Sequence, residues 1–292
     1  MTTRDLLKQV RKIEIRTRGV VNNLFSGEYH SVFKGRGMDF NEVREYQIGD
    51  EVRAIDWNVT ARFGHPYVKV FEEERELTVM LLVDMSGSLN FGTNQKTKQQ
   101  IAAELSAILS FSALKNNDKV GMILFTDKIE KFIPPQKGRS HILRIIRELI
   151  SFEAESKGTN IKSALEYFHH IRMKRSIVFL ISDFFDDGYE KILGILSKKH
   201  DVIAIKLSDG REKSFSDSGF IKFIDSETSQ VRYIDTSNKI TRNYFEQKKR
   251  EFDNYLKQTF LTTKVDSINI DLNYSYVKPL IDFFKYREKK FQ

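Results

Sequence analysis

The chain has 292 residues, of which 40% are hydrophobic and 30% are charged. That balance is typical of a folded globular protein and excludes an intrinsically disordered chain. Cysteine is absent, which excludes disulfides and metal sites built on thiolates. The longest apolar runs have the length of strands, well short of the roughly 20 residues that a membrane-spanning helix needs. The first residues also lack the apolar core of a secretory signal, so we expect a cytoplasmic protein with no membrane span.

The net charge of +8 is concentrated at the two ends of the chain. Residues 1–37 carry 8 basic and 3 acidic side chains, and residues 238–292 carry 12 and 7. Such ends can attract nucleic acid or an acidic protein surface. Acids are interleaved with the basic residues, however, which favours ordinary solvated helix faces. Nucleic acid is therefore an alternative partner and not the expected one.

We interpret residues 1–76 as an N-terminal extension packed on the main domain. Apolar residues recur at helical spacing over 3–23, which predicts a helix docked on that domain. Residues 26–76 are irregular, with glycines between short segments and charges of alternating sign. Within them, the alternation over 66–72 predicts a half-exposed strand.

From residue 77 onward, strand and helix patterns alternate. Strands are predicted at 77–84, 119–126, 129–133, 175–182 and 201–207, and helices at 95–115, 138–152, 160–172 and 188–199. This order predicts an α/β fold with a doubly wound, mainly parallel sheet and helices on both faces. The two prolines at 134 and 135 are expected to end the strand that begins at 129.

The last third of the chain departs from this alternation. Residues 218–236 contain two short apolar strands around a polar turn, which predicts a β-hairpin insertion. A long charged helix at 238–262, a strand at 267–270 and a final helix at 276–290 follow. We interpret residues 77–292 as one domain and the hairpin as structural, although an exposed hairpin edge can also recruit a partner strand.

A polar triplet follows the apolar strand at 77–84. Asp84, Ser86 and Ser88 lie on alternate positions, and Gly87 allows the loop to bend tightly. In open α/β sheets, ligands bind above the carboxyl ends of the strands, where these three side chains lie. Oxygen donors without Cys or His suit a hard cation. The alternative is that Ser86 or Ser88 caps the next helix.

This Asp-x-Ser-x-Ser pattern resembles the metal-ion-dependent adhesion site of von Willebrand factor A domains. The resemblance implies two further ligands, a hydroxyl from a second loop and an acid from a third. Thr159 lies in a loop just before a predicted helix, and Asp183 ends the apolar strand at 175–182. If the two acid-bearing strands are neighbours where the strand order reverses, their loops meet. The expected ion is Mg²⁺, or another hard divalent cation such as Mn²⁺ or Ca²⁺.

A second resemblance covers most of the chain. Residues 35–62 contain Gly-x-Gly-x-x-Phe-x-x-x-Arg-x-Tyr-x-x-Gly-Asp-x-x-Arg-x-Ile-Asp-Trp-x-x-Thr-Ala-Arg. This spacing resembles the hallmark of bacterial domain-of-unknown-function family fifty-eight, whose members carry a von Willebrand A-like domain. Because those members are commonly encoded beside MoxR-type AAA+ ATPases, the resemblance implies an adaptor or recruiter that works with such an ATPase.

The expected function is divalent-cation-dependent protein binding, not catalysis. Two carboxylates and a few hydroxyls leave a position on the ion that an acidic residue of a partner can occupy. The enzyme alternative is metal-dependent hydrolysis of a phosphate ester. Against it, the position two residues after Asp84 is a serine instead of a second aspartate, and no His is near the predicted ligands in sequence.

Two phenylalanines follow the third predicted ligand. Many von Willebrand A domains have glycine after this acid, whereas this chain has Phe184 and Phe185. If exposed, the two rings would form a binding surface for a protein partner. The alternative is that they pack in the core beneath the loop.

Overall fold

The architecture is that of a computed structural model. It describes residues 10–11, 13–14, 21, 38–73, 77–92, 96–212, 217–227 and 230–291. Most of the helix predicted over 3–23 therefore lies outside the described residues. Its described residues are helical, and Val10 and Val21 are buried in the larger hydrophobic core, as expected for a docked helix.

The described part of the N-terminal extension is a small antiparallel sheet with a helical connection. Strand β1 (Met38–Glu45) pairs with β2 (Tyr67–Glu73), which confirms the strand predicted at 66–72. Helix α1 (Trp57–Phe63) lies between them and begins at Asp56, whose carboxylate accepts hydrogen bonds from two backbone N–H groups of the first turn. The domain boundary at residue 76 stays a prediction.

The remaining elements follow the predicted order closely. The strands are β3 (Thr78–Asp84), β4 (Lys119–Phe125), β5 (Ile129–Gln136), β6 (Ile177–Ser182), β7 (Asp201–Ser208), β8 (Phe220–Ile224), β9 (Val231–Asp235) and β10 (Asp266–Asp271). The helices are α2 (Lys98–Lys115), α3 (Arg139–Ser151), α4 (Ile161–His170), α5 (Glu190–Lys199), α6 (Lys239–Thr263) and α7 (Val277–Phe291).

Six strands form the central sheet in the order β10-β7-β6-β3-β4-β5. Every pair in it is parallel except β4 with β5. The predicted α/β class with a mainly parallel, doubly wound sheet is therefore confirmed. Strand β5 continues through both prolines, contrary to the expectation that they end it. It lies at the edge of the sheet, where a missing N–H costs no ladder hydrogen bond.

Strand β3 is at the centre because it is apolar on both faces. Val79, Leu81 and Val83 belong to the core on one side of the sheet, and Met80 and Leu82 to the core on the other. All five side chains are completely buried. A strand with this composition removes the most apolar surface from water when neighbouring strands and helices cover it on every side.

The order of strands reverses beside β3. The chain passes from β3 to β4 and β5 on one side, then crosses back to place β6 on the other side. The carboxyl ends of β3 and β6 are thus adjacent and parallel, as predicted. Crevices at such reversal points are where open α/β sheets bind ligands.

Strands β8 and β9 pair only with each other, as the predicted hairpin. Their large apolar side chains face solvent to a high degree, with Phe220 77% and Tyr233 73% exposed. Among the described residues, no helix combines the length and the apolar character that crossing a bilayer requires.

Candidate metal centre

Asp84 lies at the carboxyl end of β3 and is completely buried. One of its carboxylate oxygens accepts a hydrogen bond from the backbone N–H of Ser86 (2.8 Å), and the other accepts one from the hydroxyl of Ser182 (2.6 Å). Burial, followed by the negative charge of Asp183, raises the pKa of Asp84 to about 7. The carboxylate is therefore held rigidly in a place where its charge lacks compensation.

Ser86 and Ser88 present their hydroxyls side by side, with 3.0 Å between the two Oγ atoms. Neither serine caps the following helix. A short 3₁₀ turn (Gly87–Asn90) follows Ser86 instead, and α2 begins only at Lys98, with Thr97 as its cap. The helix-capping alternative for these serines is therefore wrong, and both hydroxyls are directed to the same small space.

The loop that carries Thr159 packs directly on the first loop. The backbone N–H of Gly87 donates to the carbonyl of Lys157 (2.8 Å), which joins the two loops two residues before Thr159. The Thr159 hydroxyl donates to a carboxylate oxygen of Glu227 (2.7 Å), at the tip of the β8–β9 hairpin. Burial raises the pKa of Glu227, and the charge of Asp183 contributes to that rise, so the two acids lie close enough to repel each other.

Asp183 is buried immediately after β6 and forms an ion pair that the sequence did not indicate. One of its oxygens accepts from the ammonium of Lys98 (2.8 Å), the first residue of α2, and Glu212 is the second partner of that ammonium. Burial lowers the pKa of Lys98, but the charges of Asp183 and Glu212 outweigh this and raise it. Lys98 thus partly neutralises the third predicted ligand.

Phe184 has a positive φ of 63°, the left-handed conformation that glycine adopts most easily. A phenylalanine thus holds a backbone conformation that is unusual for a residue with a side chain. Its ring is completely buried and packs edge-on against Phe260 with 5.3 Å between centroids. The prediction that Phe184 contacts a partner is wrong, because its side chain belongs to the core.

Phe185 is 42% exposed and lies outside that core. Its ring stacks on Phe252 of α6 with 4.7 Å between centroids, and the ammonium of Lys249 lies 4.9 Å from its centre. The described geometry leaves one edge of this aromatic pair open to solvent. A role for Phe185 in partner binding stays a prediction.

Comparison with known proteins assigns the chain to a family. Residues 42–254, most of the chain, match the family described as "Protein of unknown function DUF58". The chain belongs to this family.

Among its relatives is the uncharacterized protein Rv1480 of Mycobacterium tuberculosis (strain ATCC 25618 / H37Rv). The two are 29% identical over 230 residues, which are 78% of this DUF58 chain and 73% of that protein. Among solved structures, BatB from Bacteroides thetaiotaomicron is similar with 17% identity and a TM-score of 0.48, over 73% of this chain and 99% of that one. PTMP1 from the mussel byssus, described with a zinc-occupied MIDAS motif, has 15% identity and a TM-score of 0.37, over 46% of this chain and 38% of that one.

The donor set of this DUF58 protein fits a hard divalent cation. Asp84, Ser86, Ser88, Thr159 and Asp183 offer only carboxylate and hydroxyl oxygens, the ligands that Mg²⁺ prefers. Two buried carboxylates that repel each other are also stabilised when a cation lies between them. Within the described part of the chain, no three His, Cys, Asp or Glu side chains are grouped as a metal site by themselves. The site therefore depends on its hydroxyls.

Four residues around the site were missed in the sequence. Ser182 orients Asp84, Lys98 partly neutralises Asp183, Glu212 is the second partner of Lys98, and Glu227 accepts from Thr159. Ser182 could have been found, because it directly precedes Asp183 at the end of a buried strand. The other three come from distant segments that show no pattern, and only the folded chain brings them to this edge of the sheet.

Proposed function

We propose that this DUF58 protein is a divalent-cation-dependent protein-binding module. The observation that carries the proposal is the junction of three loops at the reversal point of the sheet. Ser182 joins the third loop to Asp84, and the Gly87–Lys157 hydrogen bond joins the first loop to the second. Independent segments of chain are thus tied together where the predicted oxygen ligands lie, with Lys98 paired to one of them.

The residues that would hold the ion are Asp84, Ser86, Ser88, Thr159 and Asp183. Mg²⁺ is the proposed ion, with Mn²⁺ or Ca²⁺ as members of the same class. A hard cation with few protein ligands completes its coordination with water or with a carboxylate from another molecule. Because Lys98 already occupies one oxygen of Asp183, this acid is better suited to bind through water than directly.

The proposed partner is a protein that offers an acidic side chain to the ion. We further propose that a MoxR-type AAA+ ATPase is one such partner, as the resemblance carried by residues 35–62 implies. Binding is proposed in preference to hydrolysis because the strand end carries Asp84 with two serines and lacks the Asp-x-Asp of aspartyl-phosphate enzymes. A cytoplasmic location stays a prediction.

The test is a calorimetric titration of the purified protein with Mg²⁺ and with Mn²⁺. We expect one site per chain, and its loss in the Asp84→Asn and Ser86→Ala variants. Glu155→Gln is the matched control, since it removes an exposed acid whose ion pair among the described residues is with a surface lysine on the neighbouring loop. Absence of cation binding in the unaltered protein would overturn the proposal.

The partner is tested separately with a purified MoxR-type ATPase. Immobilised DUF58 protein should retain the ATPase in Mg²⁺ and release it in EDTA, and the Asp84→Asn variant should not retain it. Equal retention with and without Mg²⁺ would show that the ion has no role in the contact.

A further inference from the structure

The tip of the β8–β9 hairpin lies on the candidate metal centre. The carbonyl of Ser226 is so close to Gly87 that a Cβ atom at that position would approach it to 2.4 Å. Glu227, the next residue, accepts the hydroxyl hydrogen of Thr159 at 2.7 Å. The hairpin therefore contacts two of the three loops that surround the predicted ion.

The turn is built to present Glu227. Asp225 accepts a hydrogen bond from the backbone N–H of Glu227 (2.9 Å), and its own N–H donates to the carbonyl of Gln230 (2.9 Å). These bonds fix the backbone from which the Glu227 side chain extends. Glu227 is half-buried, whereas the neighbouring strand residues Phe223 and Ile224 are largely exposed.

The hairpin is otherwise held mainly at its base. There, the buried Thr236 bonds through its N–H and its hydroxyl to the carbonyl of Gly219 (2.8 and 2.7 Å). Between base and tip, the strands leave their large apolar side chains in solvent, so burial adds little to hold them down. The contact at the tip is thus a polar one on a lightly anchored arm.

The described residues give Glu227 no ion-pair partner of its own. Among the described residues, no Lys, Arg or His side chain forms an ion pair with it, and its hydrogen-bond partner Thr159 is neutral. The charges that act on it belong to Asp183, Asp225 and Asp186. An acid that is half-buried among other acids is unfavourable unless a cation joins them.

We propose that Glu227 supports this chain's own cation through Thr159, so that the hairpin tip covers the side from which a partner's acid must approach the ion. The proposal rests on the proposed function and specifies how its site is regulated. With the ion in place, Thr159 can direct an oxygen lone pair to it while its hydrogen stays on Glu227. A protein partner then binds by displacing Glu227, and the hairpin moves away on its base.

The test compares the unaltered protein with Glu227→Gln and Glu155→Gln, using Mn²⁺ alone as the probe. Gln keeps the volume of the side chain and an oxygen for Thr159, and removes only the charge. We expect the affinity for Mn²⁺ to fall about tenfold or more in Glu227→Gln, as on loss of a group that supports a metal ligand. Glu155→Gln, which removes an equal charge from the neighbouring loop, should bind as the unaltered protein does.

Two further measurements report on the hairpin itself. The proton relaxation of water per bound Mn²⁺ should rise in Glu227→Gln, because a weaker contact between the hairpin tip and Thr159 gives water more access to the ion. Amide hydrogen exchange over 219–227 and 230–236 should slow on addition of Mn²⁺ in the unaltered protein and not in Glu227→Gln.

The outcomes separate the two proposals. If the unaltered protein binds no Mn²⁺, the proposed function fails and this inference fails with it. If it binds Mn²⁺ and Glu227→Gln matches it in affinity, water relaxation and hydrogen exchange, only the proposed role of Glu227 is overturned.

Discussion

At the scale of single residues, the backbone of Phe184 has two conflicting requirements. Its φ of 63° suits glycine, and its buried ring fills the space beside Phe260. The Ser182 hydroxyl accepts from the N–H of Phe184, and the carbonyl of Phe184 accepts from Asp186, so the tight turn is held on both sides. The burial of the ring offsets the strain, which is about 1–2 kcal/mol for a non-glycine residue in this region.

This conflict predicts an unusual order of stabilities. Replacing Phe184 with Ala or Gly removes the buried ring and should lower the free energy of unfolding by about 3–5 kcal/mol. Because Gly also relieves the positive φ, Phe184→Gly should be more stable than Phe184→Ala by about 1 kcal/mol. Chemical denaturation of the three proteins measures both differences, and an Ala variant at least as stable as the Gly variant would contradict the strain.

Lys98 is a buried cation that competes with the predicted ion. Its ammonium contacts Asp183 and Glu212, and its side chain is about 1% exposed. Replacing it with Met leaves the buried carboxylate of Asp183 and the half-buried one of Glu212 without their partner, which should cost about 3–5 kcal/mol. The same change frees Asp183, so Mg²⁺ should raise the melting temperature of Lys98→Met more than that of the unaltered protein.

The matched control for that variant is Lys96→Met. It changes a lysine two residues before Lys98 and breaks the ion pair of Lys96 with Glu104. This pair does not contact Asp183, so the response to Mg²⁺ should stay that of the unaltered protein. If Mg²⁺ raised the melting temperature of both variants equally, the effect would come from the loss of positive charge in general.

At the scale of elements, α2 is a largely apolar helix that also buries three serine hydroxyls. Among the described residues, the hydroxyls of Ser106, Ser110 and Ser112 are buried and have no hydrogen-bond partner. An unpaired buried hydroxyl costs about 1–3 kcal/mol. The helix is nevertheless buried because it covers the core beside β3 through residues such as Leu105 and Ile108.

Replacing Ser110 with Ala should therefore leave the protein equally stable or more stable. The control is Ser182→Ala, whose hydroxyl donates to Asp84 and accepts from Phe184, and which should lose about 1–3 kcal/mol. Thermal unfolding of the two variants tests the contrast. Clear destabilisation of Ser110→Ala would mean that its hydroxyl has a partner, such as a buried water.

The starts of β6 and β7 are joined by a histidine that must stay neutral. The Nδ1 atom of His200 accepts from the N–H of Ser176 (3.2 Å), and the ring packs on Phe168 at 4.9 Å. Burial lowers the pKa of His200 from 6.5 to about 4. Protonation would remove the acceptor and place a charge in the core.

This shift predicts how stability depends on pH. Because the folded pKa lies below the unfolded one, the contribution of His200 is complete above about pH 6.5 and is lost as the pH falls toward about 4, up to about 3 kcal/mol in all. The His200→Gln variant does not titrate there, so the stability difference between the two proteins should shrink across this window. A difference that is constant from pH 7 to pH 4 would contradict the prediction.

At the scale of the whole molecule, the candidate centre joins segments that are far apart in sequence. The loops after β3 and β6, the loop before α4 and the hairpin all meet at one edge of the sheet. A cation bound there links them and binds only the folded chain. Its effect on stability is therefore global.

Mg²⁺ should raise the melting temperature in proportion to its binding. At a concentration 100 times the dissociation constant, the free energy of unfolding should rise by about 2.7 kcal/mol. EDTA should reverse the gain, and Asp84→Asn should show none. Differential scanning calorimetry measures all three, and an equal response of Asp84→Asn would place the ion elsewhere.

The sequence by itself determined the layers, the strand order at β3 and β6, and the first loop of the site, because these depend on local patterns. An apolar strand such as 78–84 is buried whatever surrounds it, and residues at the ends of neighbouring parallel strands meet by geometry alone. Only the tertiary structure decided that Phe184 is buried, that Lys98 neutralises Asp183, and that Glu227 covers Thr159. The contacts of Lys98 and Glu227 join residues 85 and 68 positions apart, and the burial of Phe184 depends on one backbone angle. No local sequence pattern indicates such a distant contact or such an angle.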